Sequence, residues 1–122
     1  MKSLFICYPK CITCQKAKRW LDSRHIPYEE RNIKEQNPTQ PELRQWTAQS
    51  GLPLKKFFNT SGLVYKALGL SQKLASMSDD EVFAILATDG MLVKRPILIT
   101  GEKILLGFKE SDWEALFSVP GE

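Results

Sequence analysis

Two cysteines three residues apart, Cys11 and Cys14 in the stretch YPKCITC (residues 8–14), are the side chains of this sequence best suited to chemistry. Such a pair can form a redox-active disulfide, supply half of a zinc site, or sit inert as two small buried thiols. The turn-like YPK precedes a helical pattern, so Cys11 falls at or just before the first helical turn. Free backbone N–H groups and the positive end of the helix dipole favour an anion there. A thiol in that place ionises more readily, and the thiolate is the form that attacks disulfides, peroxides or oxyanions. Lys10 and Lys16 strengthen the effect if their side chains face the sulfur. Residues three apart on a helix hold their Cβ atoms about 5–6 Å apart, against roughly 3.5–4.5 Å in a disulfide. A small adjustment therefore lets Cys14 resolve an adduct formed on Cys11.

The zinc reading depends on further ligands. The remaining soft or imidazole candidates are Cys7 and His25. His25 lies eleven residues beyond Cys14, roughly 16 Å along a helix. That leaves zinc only between subunits. Cys7 falls in the apolar run SLFIC and is expected to be a core cysteine rather than a third reactive thiol.

These residues need a scaffold, and the bulk composition indicates one. With 122 residues, 43% of them hydrophobic and 25% charged, the chain reads as a single globular domain over residues 1–122. No apolar run approaches the roughly 20 residues of a membrane span, and MKSLFICYPK lacks the features of a secretory signal. A cytoplasmic location is expected, where a CxxC pair is more often redox-active or metal-binding than structural. The net charge of +3 is uneven, basic in the cysteine half and acidic in the other. With no interleaved aromatic and basic strip, direct nucleic-acid binding is not expected.

Along the chain, SLFIC reads as a strand, and from residue 12 Cys14, Ala17 and Leu21 form one helical stripe. Residues 25–33 read as a second strand after Pro27 ends the helix. Capping boxes at Thr39/Glu42, Ser78/Glu81 and Ser111/Glu114 predict helix starts. Shorter helical pieces are expected near 54–58 and 63–68, and Trp20, Trp46 and Trp113 as packing residues. ILIT (97–100) and KILL (103–106), joined at Gly101-Glu102, read as a hairpin. The order β-α-β, a helical insertion at about 38–90, then β-β-α predicts an α/β thioredoxin-like fold with a four-stranded mixed sheet. In such a fold the proline before the third strand is characteristically cis and faces the active cysteine. Arg95-Pro96 occupies that place, which brings Arg95 to a thiolate or a bound oxyanion.

YPKCITC at the first strand–helix junction and KRPILIT before the hairpin make the chain resemble the arsenate reductase-like (ArsC/Spx) family over essentially its whole length. KKFFNTSG (55–62) and DGMLVKRP (89–96) are similar to the short YusI-type members. The resemblance implies a nucleophile at Cys11, an anion-holding arginine at Arg95, no bound cofactor, and thioredoxin or glutathione with glutaredoxin as reductant. Two further family arginines are replaced, by Asn59 and Phe108. Asn59 can donate hydrogen bonds without charge, Lys10 is a further anion-binding candidate, and Lys56 or Lys109 can compensate for the lost charge. The CxxC pair is similar to that of Spx, a redox-switched regulator that binds RNA polymerase, which implies the polymerase α subunit as an alternative partner, with Gly51 near the contact. A lone glycine at a helix end is more often a C-cap, and no Spx-like basic tail follows the last helix of this sequence. The leading expectation is a thiol–disulfide oxidoreductase in which Cys14 resolves Cys11; the alternatives are the Spx-like regulator and an arsenate reductase with an altered anion site.

Overall fold

The computed structural model describes residues 3–117; the sequence end read above as lacking a tail lies outside the described residues. The SLFIC run becomes β1 (Ser3–Cys7), followed by α1 (Ile12–Ser23) and β2 (Tyr28–Asn32). The helical insertion then runs through α2 (Gln40–Ser50), α3 (Leu63–Ala67), α4 (Leu70–Lys73) and α5 (Asp79–Leu86), with 3-10 turns at Leu54–Phe57, Leu74–Ser76 and Gly90–Leu92. The hairpin of β3 (Ile97–Thr100) and β4 (Lys103–Leu106) and then α6 (Glu110–Phe117) complete the described fold.

The sheet order is β2-β1-β3-β4. β1 pairs parallel with β2 and antiparallel with β3, which makes the sheet four-stranded and mixed. Being central and covered on both faces, β1 needs apolar residues at successive positions. Phe5, Cys7 and Leu98 point to the α1/α6 side and join Cys14, Ala17, Trp20, Leu21 and Trp113 in one core. Ile6 and Ile97 point the other way, into a larger core with Leu43, Trp46, Phe57, Phe83 and Leu92 of the insertion.

Local signals explain most boundaries. The Thr39/Glu42 and Ser78/Glu81 capping boxes both form, and α2 ends in left-handed Gly51 (φ 68°). The Ser111/Glu114 box does not: α6 begins at Glu110, two residues before the Asp112 start that a Ser111 cap would give, so Ser111 lies inside the helix and Glu114 pairs instead with Arg24. The second strand is shorter than expected, because His25 turns the chain at φ 56° and Pro27 follows.

Arg31 of β2 clamps Glu42 of α2 through two hydrogen bonds of 2.7 and 2.9 Å. The Arg31 guanidinium, with help from Thr39 and against partial burial, holds the Glu42 carboxyl down to about 2. A depressed carboxyl stabilises the fold above its unfolded range and loses that contribution as pH falls towards its folded value. Glu42→Gln is therefore expected to cost about 2 kcal/mol at neutral pH. In urea titrations the difference from wild type should shrink between about pH 4.5 and 2; a gap that stays constant over that window would sink this account.

Candidate active site

After β1 the chain turns through Tyr8, Pro9 and Lys10, and the Cys11 N–H closes the turn on the Tyr8 carbonyl at 2.9 Å. Cys11 is then the N-cap of α1, in extended conformation (φ −82°, ψ 122°) and half-buried. Cys14 lies one turn on, only 2% exposed, and its sulfur accepts the Tyr8 N–H at 3.4 Å. All three cysteines are free thiols.

The two members of the pair are driven apart. Partial burial disfavours the Cys11 thiolate, but the backbone and thiol of Cys14, the Thr13 N–H and the Arg95 charge outweigh it and bring Cys11 below its ordinary value of 9.0. Burial pushes the Cys14 thiol up to about 12; the Tyr8 N–H opposes this, and the neighbouring charge on Cys11 adds to it. Cys7 is likewise raised to about 12, first by burial and then by Glu30.

The cation beside Cys11 comes from the other end of the sequence. The Arg95-Pro96 peptide is cis. Arg95 lies 5.5 Å over the Tyr8 ring and donates to the Val93 carbonyl at 3.2 Å, while its Nε is buried with no partner among the described residues. An antiparallel bridge between Phe58 and Val93 brings the FFN segment alongside, with the Asn59 N–H bonded to Leu92 O at 2.7 Å. Cys11, Asn59, Lys94, Arg95, Phe108 and Lys109 thus share one cavity of about 780 Å³.

Of the residues expected at the site, Cys11, Asn59 and Arg95 line this cavity, with Pro96 buried just behind Arg95. Lys10 and Lys16 do not: both are exposed and neither lines the cavity, because the turn and the outer face of α1 direct them to solvent. Phe108 packs edge-on against Trp113 and Trp20, so an arginine there would lose aromatic packing. Lys94 is the residue that sequence reasoning missed, although it adjoins Arg95 in KRP. Lys56 lines the neighbouring groove, which shares Lys94 and Lys109 with the main cavity. Among the described residues no three His, Cys, Asp or Glu side chains gather as a metal site, and no helix is long and apolar enough to cross a membrane.

A model of the ArsC family matches residues 7–116. The chain belongs to the ArsC family. This ArsC-family chain is 51% identical to the uncharacterized protein YusI of Bacillus subtilis, over 93% of its own length and 97% of the relative's. The structure of an ArsC family related protein from Bacteroides fragilis superimposes with a TM-score of 0.91 at 56% identity, covering 95% of this chain and 98% of that one. A possible arsenate reductase from Streptococcus mutans follows at TM-score 0.84 and 46% identity, over 92% and 97%. The global transcriptional regulator Spx of Staphylococcus haemolyticus is 29% identical over 85% of this ArsC-family chain and 78% of its own length. The two solved structures share the thioredoxin-like fold, and the proteins to which this chain is similar include a possible arsenate reductase and a transcriptional regulator.

Proposed function

We propose that the chain is a thiol–disulfide oxidoreductase in which Cys11 is the nucleophile and Cys14 the resolving thiol. One observation carries this reading: an accessible Cys11 held below the ordinary thiol range stands directly over a buried Cys14 held above it. The Cys11 thiolate attacks one sulfur of an oxidised substrate, forming a mixed disulfide and releasing the other sulfur as a thiolate. That step removes the negative charge on Cys11 that disfavoured ionisation of Cys14. Cys14 then loses its proton and attacks the Cys11 sulfur, expelling the second substrate thiolate and leaving a Cys11–Cys14 disulfide. Thioredoxin, or glutathione with glutaredoxin, returns the dithiol.

Arg95 stabilises the attacking thiolate, and with Lys94, Lys109 and the Asn59 amide it favours an anionic substrate. Pro96 fixes the backbone that presents Arg95. A cavity of about 780 Å³ has the size of a site for a small organic molecule and is roomy for a lone oxyanion. The three cations beside Cys11 nonetheless support arsenate reduction as a minor activity.

The test is alkylation by iodoacetamide as pH is varied. Cys11 should react with a midpoint below the roughly 8.5 of a free cysteine, while Cys7 and Cys14 stay unmodified in the folded protein. Mild peroxide should remove two hydrogens by joining Cys11 to Cys14. Titration of Cys11 like a free cysteine, near ~8.5 or above, together with no disulfide, would overturn the reading.

The likeness to Spx favours a second reading, a regulator that docks on the RNA polymerase α subunit and uses the same pair as a switch. Capture of that subunit from lysate in only one redox state of the bait supports it; absence from both states removes it.

A further inference from the structure

Resolution by Cys14 requires its thiol proton to leave a site that is only 2% exposed. The large cavity lies on the Cys11 side and Cys14 does not line it. Behind Cys14 there is a second, smaller cleft of about 170 Å³, lined by Cys7, Tyr8, Cys14, Lys18 and Glu30 among others. It has room for several water molecules and polar groups to hold them.

The elements around this cleft converge by register. Glu30 pairs with Phe5 across the parallel β1–β2 ladder and Cys7 with Asn32, so Glu30 projects to the same sheet face as Phe5 and Cys7, the face covered by α1. Lys18 follows Cys14 by four residues on α1 and so shares its helix face. Its Nζ lies 2.7 Å from the Glu30 carboxylate, in an ion pair whose two side chains are both exposed. The other ionisable groups acting here are Asp22 beside Lys18, Tyr28 on the same face of β2, Cys7 on β1 and Cys11 itself. The Tyr28 hydroxyl is committed to Asp22 at 2.8 Å. Arg95, on the opposite side of Cys11, can accept no proton.

We propose that Glu30 is the proton acceptor for Cys14, taking the proton through water in this cleft when Cys14 attacks the Cys11 adduct. The inference rests on the oxidoreductase reading. In the step, the Cys14 S–H bond breaks and its proton passes to the Glu30 carboxylate. The Cys14 sulfur pair forms the S–S bond to Cys11, and the bond from Cys11 to the substrate sulfur breaks, its electron pair leaving with the thiolate. The Tyr8 N–H supports the sulfur charge as it develops. Glu30, with a side chain 36% exposed, then returns the proton to solvent.

The test uses the full chain and the disulfide of thionitrobenzoate. Attack by Cys11 releases one coloured thiolate, and resolution by Cys14 releases a second. Glu30→Gln should slow the second release about tenfold or more near pH 7 and leave the first unchanged. The gap should close as pH rises and hydroxide takes over the deprotonation. Lys18→Met keeps the carboxylate and should stay within about twofold of wild type. Equal second-phase rates for Glu30→Gln and wild type at every pH would overturn the role of Glu30 and leave the oxidoreductase reading standing. So would a slowing in Lys18→Met as large as in Glu30→Gln, because packing of the ion pair would then be the cause. If wild type keeps its adduct as Cys14→Ser does, both fail together.

Discussion

Cys11→Ser abolishes thiol–disulfide exchange, an expected loss of at least ~10³-fold in rate, whereas Cys14→Ser keeps the first step and traps the adduct. The serine hydroxyl stays protonated near neutral pH, so the N–H groups of α1 and the Arg95 charge have no anion to stabilise. In Cys14→Ser the nucleophile keeps its helix start, the Thr13 N–H, the Cys14→Ser backbone N–H and Arg95, which are most of the influences that lower it. Its thiolate is therefore expected to persist, although without the Cys14 thiol its pKa rises somewhat. The measurement is single-turnover release of a chromophoric thiol, with mass spectrometry of the trapped species. Exchange at the wild-type rate in Cys11→Ser would remove Cys11 as the nucleophile. The same pair of variants, given arsenate with the thioredoxin and glutaredoxin systems supplied separately, divides the reductase mechanisms. Loss in both variants indicates an intramolecular disulfide, and loss in Cys11→Ser alone indicates a single-cysteine route that finishes on an external thiol.

Gly90→Ala is expected to bring the largest loss of stability from adding a single methyl group, about 3 kcal/mol or more. A Cβ at Gly90 would stand 1.8 Å from the Ile33 carbonyl oxygen and 2.7 Å from its carbon. Both are backbone atoms at the end of β2, so no side-chain rotation relieves the overlap; the 3-10 turn Gly90–Leu92 must lift off the sheet. The damage should extend to the site, because this turn leads into Val93, whose bridge to Phe58 brings Asn59 beside Lys94 and Arg95. Gly51→Ala is the control. Gly51 has a φ of 68° and open space around it, so only the backbone penalty of about 1–2 kcal/mol applies. Urea unfolding of both variants, with Cys11 alkylation rates, checks the account; a Gly90→Ala protein as stable as wild type would mean that β2 and the turn separate freely.

Nearly all of the fold was legible because its signals are local. Two capping boxes, the Gly51 C-cap, the stripe of Cys14, Ala17 and Leu21, and the Gly101-Glu102 hairpin each state their geometry within a few residues. The third box failed because α6 starts two residues earlier than a Ser111 cap would place it and Glu114 has a competing partner in Arg24, distant in sequence. For a related reason the sequence leaves open whether Lys10 and Lys16 face the sulfur, and neither lines the cavity: nearness in sequence to Cys11 says nothing about which way a side chain leaves a turn.

The sequence by itself pointed to the type of chemistry proposed and to Cys11 as its candidate nucleophile. A helix start acts on the residue that opens it, and two thiols one turn apart are close whatever surrounds them. Only the tertiary structure decided which charges surround Cys11 and which carboxylate shares a cleft with Cys14. Arg95 reaches Cys11 because β3 lies antiparallel to β1, and Lys94, Lys109 and Asn59 reach it through a bridge and a loop from separate elements. Glu30 reaches the cleft behind Cys14 because β2 lies parallel to β1 in one register. Electrostatic coupling depends on distance through space, and strand pairing, not chain order, sets that distance here.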